Sequence, residues 1–418
     1  MKYISNGKGS IPLITLIALL SVSLTVNLPG LAVSPMLGKM ADLFPHSSQL
    51  EIQLLTLLPN LIIIPMILLS GKIANVRYQT AVLAAGLAIF LAAGILYLFA
   101  DTMPMLIGLG VILGIGCGLI VPIAAGLLSE WFYGSQKVKV LGFKSGISNG
   151  IVILATIFVG WAADFSWHTS FCVYLVPVIP LLLLPFMTNG YIRSHIRHND
   201  NGAPSSASTH VVAKESDRRI FAKPIVTLCG VIGLYIALTA SSMVFTYYLP
   251  FTMKHYGLST SEVGVATAMF YVTAMIGGFS LTPYIRIVGR LGLYVCIAIM
   301  IAGLLTLGLI HTMAGYVIGV LLIGLGYGFF QPIIYNKTTE IAPDKTLSTK
   351  YFSYTLAGNY IAVSIVPVLI EGVQALFDNH TPDFPYFIST AILGIVLIIG
   401  IVCRRSFVWR TGSGNTAK

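Results

Sequence analysis

Residues able to do chemistry are sparse in this chain, and many of them fall at helical spacing. Tyr327, Gln331 and Tyr335 stand four apart, which puts an amide between two phenols on one helix face. Tyr351, Thr355 and Asn359 repeat the spacing, and Tyr235, Thr239, Ser242 and Thr246 follow i, i+4, i+7, i+11. Asn27, Lys144 and Asn149, with Ser148, complete the polar set. Such stripes offer hydrogen bonds and aromatic surface to an organic solute, and Lys144 is the one cation among them that can meet an anion. Catalytic patterns do not appear. There is no Ser/His/Asp order, no Walker loop and no HExxH helix. The five cysteines form no CxxC and have no histidine at metal-ligand spacing, so they read as small apolar side chains. The expectation is a protein that is not an enzyme, with no cofactor and no metal.

A second group is charged. Glu130 and Lys137 are seven apart, and Glu340 occupies the position equivalent to Glu130 further along the chain. With Asn75 and Arg77 they are expected to form a gate, paired when one side of the protein is closed; the bland alternative is solvated pairs worth about 0–1 kcal/mol.

The elements that hold these residues follow from composition. Of 418 residues, 56% are hydrophobic and 9% charged, against roughly 25% charged in soluble domains. Twelve apolar stretches are long enough to cross a membrane: 11–34, 52–70, 80–99, 104–128, 140–162, 170–188, 224–249, 263–282, 291–310, 315–335, 353–371 and 386–403. Lipid offers the backbone no hydrogen bonds, so each must be a helix. The fold class is all-α and polytopic, with the polar stripes in spans 7, 10 and 11 and the remaining polar residues in spans 1 and 5.

The net charge of +10 could suggest nucleic acid, but its placement argues otherwise. With the amino terminus in the cytoplasm, 22 of the 24 Lys and Arg fall on the cytoplasmic side, leaving only Lys39 and Lys254 outside. Both termini are therefore expected in the cytoplasm of a plasma-membrane protein. The opening MKYISNGKGSIPLITLIALL resembles a signal peptide, but cleavage near Gly30 would invert every later loop and destroy the charge pattern.

Two segments explain the span count. GIGCGLIVPIAAGLLSE begins at Gly114 and GLGYGFFQPIIYNKTTE at Gly324, and the register is ungapped at 210 residues: Gly114/Gly324, Gly116/Gly326, Gly118/Gly328, Pro122/Pro332, Glu130/Glu340 and Asn149/Asn359. Glycines let membrane helices approach closely. A proline inside a helix removes one backbone bond and kinks it, so Pro122 and Pro332 are expected at bends. The polar run 191–223, rich in Ser, Ala and charge, reads as a flexible cytoplasmic linker between spans 6 and 7. The expected organisation is an amino-terminal six-helix bundle (1–190), the linker (191–223), a carboxy-terminal six-helix bundle (224–403) and a cytoplasmic tail (404–418).

Two six-helix halves in a parallel repeat resemble the major facilitator superfamily of transporters. LLIGLGYGFFQPIIYNKTTEIAP resembles that family's tenth helix; FSWHTSFCVYLVPVI is similar to the start of its sixth, with His168 where Arg is usual. GKIANVRYQ (71–79) resembles a worn copy of its loop between helices 2 and 3, with Asn75 at the acidic position and Tyr78 at the second glycine. Gly110 stands where drug–proton antiporters carry an Arg, and GISNGIVIL lacks the proline of their fifth helix. The resemblance implies that helices 1, 4, 7 and 10 line a central cavity, with 5 and 11 beside them.

On this reading the protein is a secondary transporter. It moves a small organic, neutral or anionic amphipathic solute by alternating access, coupled to protons or a counter-solute. No Asp or Glu falls mid-span, which disfavours a proton-coupled cation pump. A proton-coupled multidrug efflux pump, a lipid or glycolipid flippase on the same fold, and a membrane sensor are the alternatives. The expected partners are the solute and the lipid bilayer, with no nucleic acid, and the expected state is a monomer.

Overall fold

The structure is a computed structural model that describes residues 3–6, 9–73, 79–132, 134–188, 191–192, 197–198, 224–341, 345–404 and 406–409. Eleven helices among them are long and apolar enough to span a membrane, and a shorter apolar stretch, Trp167–Leu182, stands in the place of a twelfth. We number them in chain order: α1 Leu13–Leu43, α2 Gln49–Ile73, α3 Gln79–Tyr97, α4 Met103–Trp131, α5 Gly134–Phe165, α6 Trp167–Leu182, α7 Pro224–His255, α8 Thr260–Phe279, α9 Gly292–Leu309, α10 Met313–Ile341, α11 Lys345–Phe377 and α12 Phe384–Val402.

Two spans depart from the regular helices expected. The first is broken into helical turns at Leu13–Ser21, Leu28–Leu31 and Leu37–Leu43, with 3₁₀ turns between them. The sixth is a succession of short α and 3₁₀ turns from Trp167 to Met187. Proline explains both, because Pro29 and Pro35 interrupt the first and Pro177, Pro180 and Pro185 the other, each removing a backbone donor. Three short strands were also not expected: Tyr3–Ser5, Gly9–Pro12 and Arg197–His198 form an antiparallel sheet, so two residues of the presumed linker are paired with the chain's start. Most of the linker, residues 193–196 and 199–223, and residues 405 and 410–418 of the tail lie outside the described residues.

By packing, the chain forms two compact units. One comprises Met1–Val33, Leu54–Ala155 and Ser166–Asp217; the other comprises Ser34–Gln53, Thr156–Phe165 and Arg218–Lys418. In the first, the broken sixth span is held to α3 by aromatic packing: Tyr97 stacks on Phe171 at 4.6 Å, and the Tyr97 hydroxyl donates to Leu106 O at 2.9 Å. Tyr174 lies beside Tyr97 and donates to Pro29 O at 3.2 Å. These buried phenols bond to carbonyls, which satisfies polar groups that a regular helix would not have to accommodate.

The repeated glycines have equivalent surroundings in the two units. A Cβ on Gly114 would stand 2.8 Å from Pro59 O in α2, whereas one on Gly116 would stand 2.8 Å from Phe90 N in α3. A Cβ on Gly324 would stand 2.5 Å from Phe270 O in α8, and one on Gly326 would stand 2.5 Å from Met300 Cγ in α9. Gly118 faces Met66 of α2, and Gly328 faces Ala274 of α8. Thus α4 is wedged between α2 and α3 as α10 is wedged between α8 and α9. Glycines two apart lie on opposite sides of a helix, which is the spacing that a wedged helix needs.

Candidate functional site

The polar stripes of α7, α10 and α11 meet in the second unit. Gln331, on α10, places its Nε2 3.2 Å from the Tyr235 hydroxyl, 3.2 Å from Tyr327 and 3.1 Å from Tyr335. The Tyr235 hydroxyl, from α7, donates to Asn359 Oδ1 of α11 at 3.0 Å and shares a bond with Tyr335 at 3.0 Å. Five residues from three helices therefore form one uncharged network. None of the five side chains is a carboxylate or an ammonium.

Proton counting shows what the network leaves over. An amide nitrogen has two protons, so Gln331 can donate to only two of its three phenol neighbours at once. One consistent arrangement has Gln331 donating to Tyr327 and Tyr335, Tyr335 donating to Tyr235, and Tyr235 donating to Asn359. The Tyr327 proton, Gln331 Oε1 and Asn359 Nδ2 then have no partner within the network. Neither amide end is enclosed without a partner. The leftover groups are two donors and one acceptor. Aromatic rings adjoin them: Tyr235 meets Phe330 edge-on at 5.9 Å, and Tyr327 meets Phe330 at 5.1 Å and Phe270 at 5.4 Å.

The other expected site residues are placed elsewhere. Thr239 is fully buried one turn from Tyr235, and its hydroxyl has no hydrogen-bond partner in the structure. Ser242 bonds back to Thr239 O at 2.8 Å, within its own helix, whereas Thr355 bonds to Tyr351 O at 3.0 Å and also shares a bond with Thr338 of α10 at 3.1 Å. In the first unit, Asn27 sits half-buried just before Leu28–Leu31, at the break in α1, and makes no side-chain cap bond. Lys144 and Asn149 are half-buried on α5. Between them Ser148 donates to Ser23 O of α1 at 2.9 Å.

Of the gate residues, Asn75 and Arg77 lie outside the described residues, as do the side chains of Glu130 and Lys137, whose backbones belong to α4 and α5. Glu340 is exposed near the end of α10 and accepts from Asn336 Nδ2 at 2.6 Å. Pro332 lies inside the continuous helix α10, and the backbone of Pro122 lies within α4.

A cluster of charged and backbone contacts lies at the opposite end of the second unit. Lys254 at the end of α7 pairs with Asp42 at the end of α1. The Ser261 backbone and hydroxyl, at the start of α8, both donate to Asp164 of α5, the backbone bond measuring 3.2 Å. Gln53 of α2 donates to Tyr247 O of α7 at 3.3 Å. A Cβ on Gly38 would stand 2.5 Å from Pro250 O, and Gly160 and Gly264 are in backbone contact. A capping box between Ser259 and Glu262 fixes the start of α8 beside these contacts. At the same end Tyr256 stacks on His311 at 3.9 Å and donates to Asp383 Oδ2 at 2.9 Å. Burial, and after it the Asp383 carboxylate, holds the Tyr256 phenol above its ordinary range. Periodicity could not find these contacts, although one signal pointed to them: Lys254 is one of the two cations that break the charge asymmetry.

A family model described as "Major Facilitator Superfamily" matches residues 13–367. No curated protein matches the sequence. Among solved structures, a bacterial homologue of the human lysosomal transporter Spinster, inward-facing and occupied, aligns with TM-score 0.66 at 15% identity, covering 96% of this chain and 98% of its own. A D-xylose–proton symporter aligns with TM-score 0.67 at 18% identity, covering 92% and 96%. The nucleoside transporter NupG aligns with TM-score 0.71 at 10% identity, covering 93% and 99%. At these identities the likeness is one of fold.

Proposed function

The chain belongs to the Major Facilitator Superfamily, and from that premise we propose that it is a secondary transporter of a small, neutral or anionic, amphipathic organic solute, working by alternating access. The observation that carries this reading is the uncharged network of Tyr235, Tyr327, Gln331, Tyr335 and Asn359. Its leftover amide and phenol groups can donate to and accept from hydroxyl or carbonyl groups, and its rings can cover an apolar body. A cation would find no carboxylate among these five side chains to offset its desolvation. Lys144 would add selectivity for an anion.

The orientation with both termini in the cytoplasm of a plasma-membrane protein, and the division into two six-helix bundles, belong to the same proposal. On that orientation the Lys254–Asp42 and Gly160–Gly264 contacts are outer contacts. With the Gln53–Tyr247 bond they join segments of α1, α2 and α5 to α7 and α8, and they must separate for the protein to open outward. The named relatives carry solutes as different as a pentose and nucleosides, so they support the transporter class without selecting a substrate.

The test is a flux screen in inverted and right-side-out vesicles, with and without a proton gradient. Saturable flux of a neutral or anionic solute that falls in Gln331→Ala is the expected result. Flux confined to organic cations would replace this reading with drug efflux. Movement of lipid analogues alone would replace it with a flippase.

A further inference from the structure

One buried cation is not used by the proposed site. The charge pattern places Lys337 in a cytoplasmic loop, but α10 runs on to Ile341 and Lys337 is only 3% exposed. Burying an ammonium is costly unless acceptors surround it. Here one acceptor comes from beyond the last helix. After α12 ends at Val402 the chain turns back, and Phe407–Trp409 forms a single 3₁₀ turn. The Phe407 carbonyl accepts from Lys337 Nζ at 2.7 Å, and the Phe407 ring lies under the same nitrogen at 4.8 Å.

The turn is anchored on both sides of this contact. Trp409 is 5% exposed and stacks on Tyr294 of α9 at 5.7 Å. It lies so close to Gly400 of α12 that a Cβ there would stand 2.5 Å from the indole. Tyr294 in turn donates to Gly400 O at 2.8 Å. A Cβ on Gly230 of α7 would stand 3.3 Å from Val408. The turn therefore joins α7, α9, α10 and α12 at one end of the unit. Lys337 follows Tyr335 by two residues and Gln331 by six, about 9 Å along the helix.

We propose that Phe407–Trp409 is a latch, seated on the ammonium of Lys337, that holds the end of α10 and favours the conformation in which the opposite end of the unit is packed. The docking of the latch stands on its own geometry, whereas its effect on conformation rests on the alternating-access reading. A segment that binds one conformation better than another shifts the balance by the difference in its binding. The helix that bears Gln331 and Tyr335 is thereby coupled to the chain's own carboxy-terminal segment.

Two measurements test it without a substrate. In the purified protein with Trp131, Trp161 and Trp167 replaced by phenylalanine, Trp409 is the only tryptophan. Its acrylamide quenching constant should rise severalfold in Lys337→Met and stay near the parent value in Lys337→Arg. Quenching in Lys337→Met equal to the parent would overturn the latch itself. The second measurement follows the opposite end, where Met253 is fully buried. Labelling of Met253→Cys by a polar maleimide, read at that peptide by mass spectrometry, should rise severalfold when the chain stops after Ser406, and also in Lys337→Met, which guards against misfolding of the truncated chain. Raised quenching with unchanged labelling in both would refute the conformational coupling, while a negative flux screen would leave the quenching result standing.

Discussion

Gly160 of α5 and Gly264 of α8 touch backbone to backbone: a Cβ on Gly264 would stand 2.6 Å from Thr156 O and 3.1 Å from Gly160 Cα. Neither neighbour is the end of a flexible side chain, so a larger residue must push the helices apart. Overpacking of this kind costs about 1–3 kcal/mol. Gly264→Val should therefore lower the yield of a disulfide between cysteines placed at Asp42 and Lys254, which form a pair in the same cluster. An unchanged yield would mean that the glycine contact does not hold this end closed.

The ion pair beside it should matter less. Lys254 and Asp42 have side chains 35% and 61% exposed, and pairs so solvated are worth about 0–1 kcal/mol. Lys254→Met should change the labelling of a cysteine at Met253 by less than about fivefold, and added salt should erase even that difference. A larger effect in Lys254→Met than in Gly264→Val would reverse this ranking.

Tyr235 is the residue through which α7 joins the network, since its hydroxyl reaches Tyr335, Asn359 and Gln331. Tyr235→Phe keeps the ring and leaves Asn359 Oδ1 without its donor. The expected loss is about 1–3 kcal/mol in apparent substrate affinity, the usual cost of an unpaired buried group. Gln331→Ala should lose a similar amount. Thr239→Val, a turn away and outside the network, should leave affinity within about twofold; titration of binding by calorimetry separates the three variants.

Lys144 is half-buried on α5. If it meets an anionic substrate, Lys144→Gln should abolish the preference for anionic over neutral analogues in a competition assay. At an effective dielectric near 20 the Coulomb attraction at contact is about 4 kcal/mol, large enough to survive partial desolvation. Identical inhibition patterns in wild type and Lys144→Gln would restrict the substrate to neutral molecules.

The wedge positions provide a stability test. Gly116→Val and Gly326→Val each place a side chain against a neighbouring helix: the backbone of Phe90 at 2.8 Å in one case, and in the other Met300 Cγ at 2.5 Å with the Cys296 carbonyl further off at 3.0 Å. The backbone neighbour cannot yield, whereas methionine is flexible and can. Both variants should lower the melting temperature in detergent, and Gly116→Val should lower it further. A larger drop for Gly326→Val would contradict this assignment of neighbours.

What the sequence determined by itself is what helical and membrane periodicity can express. Long uncharged stretches made the chain a membrane helix bundle, the repeat at 210 residues made it double, and spacing by four put Tyr327, Gln331 and Tyr335 on one face. Each of these is a local or statistical property of the chain. Which faces meet is not, because a helix face is compatible with many neighbours and only packing selects one. Tertiary structure brought Tyr235 onto Gln331 and Asn359 onto Tyr235, and left Thr239, on the same stripe as Tyr235, buried without a hydrogen-bond partner. It also decided that the glycines of α4 and α10 divide between two neighbours, and that prolines break the first and sixth spans without removing them from the bundle. Lys337 is the sharpest case. A charge near a span's end reads as a loop residue because water is its cheapest surroundings. In its buried place a carbonyl and a ring 70 residues later in the chain fold back to receive it, and no spacing rule reaches that far.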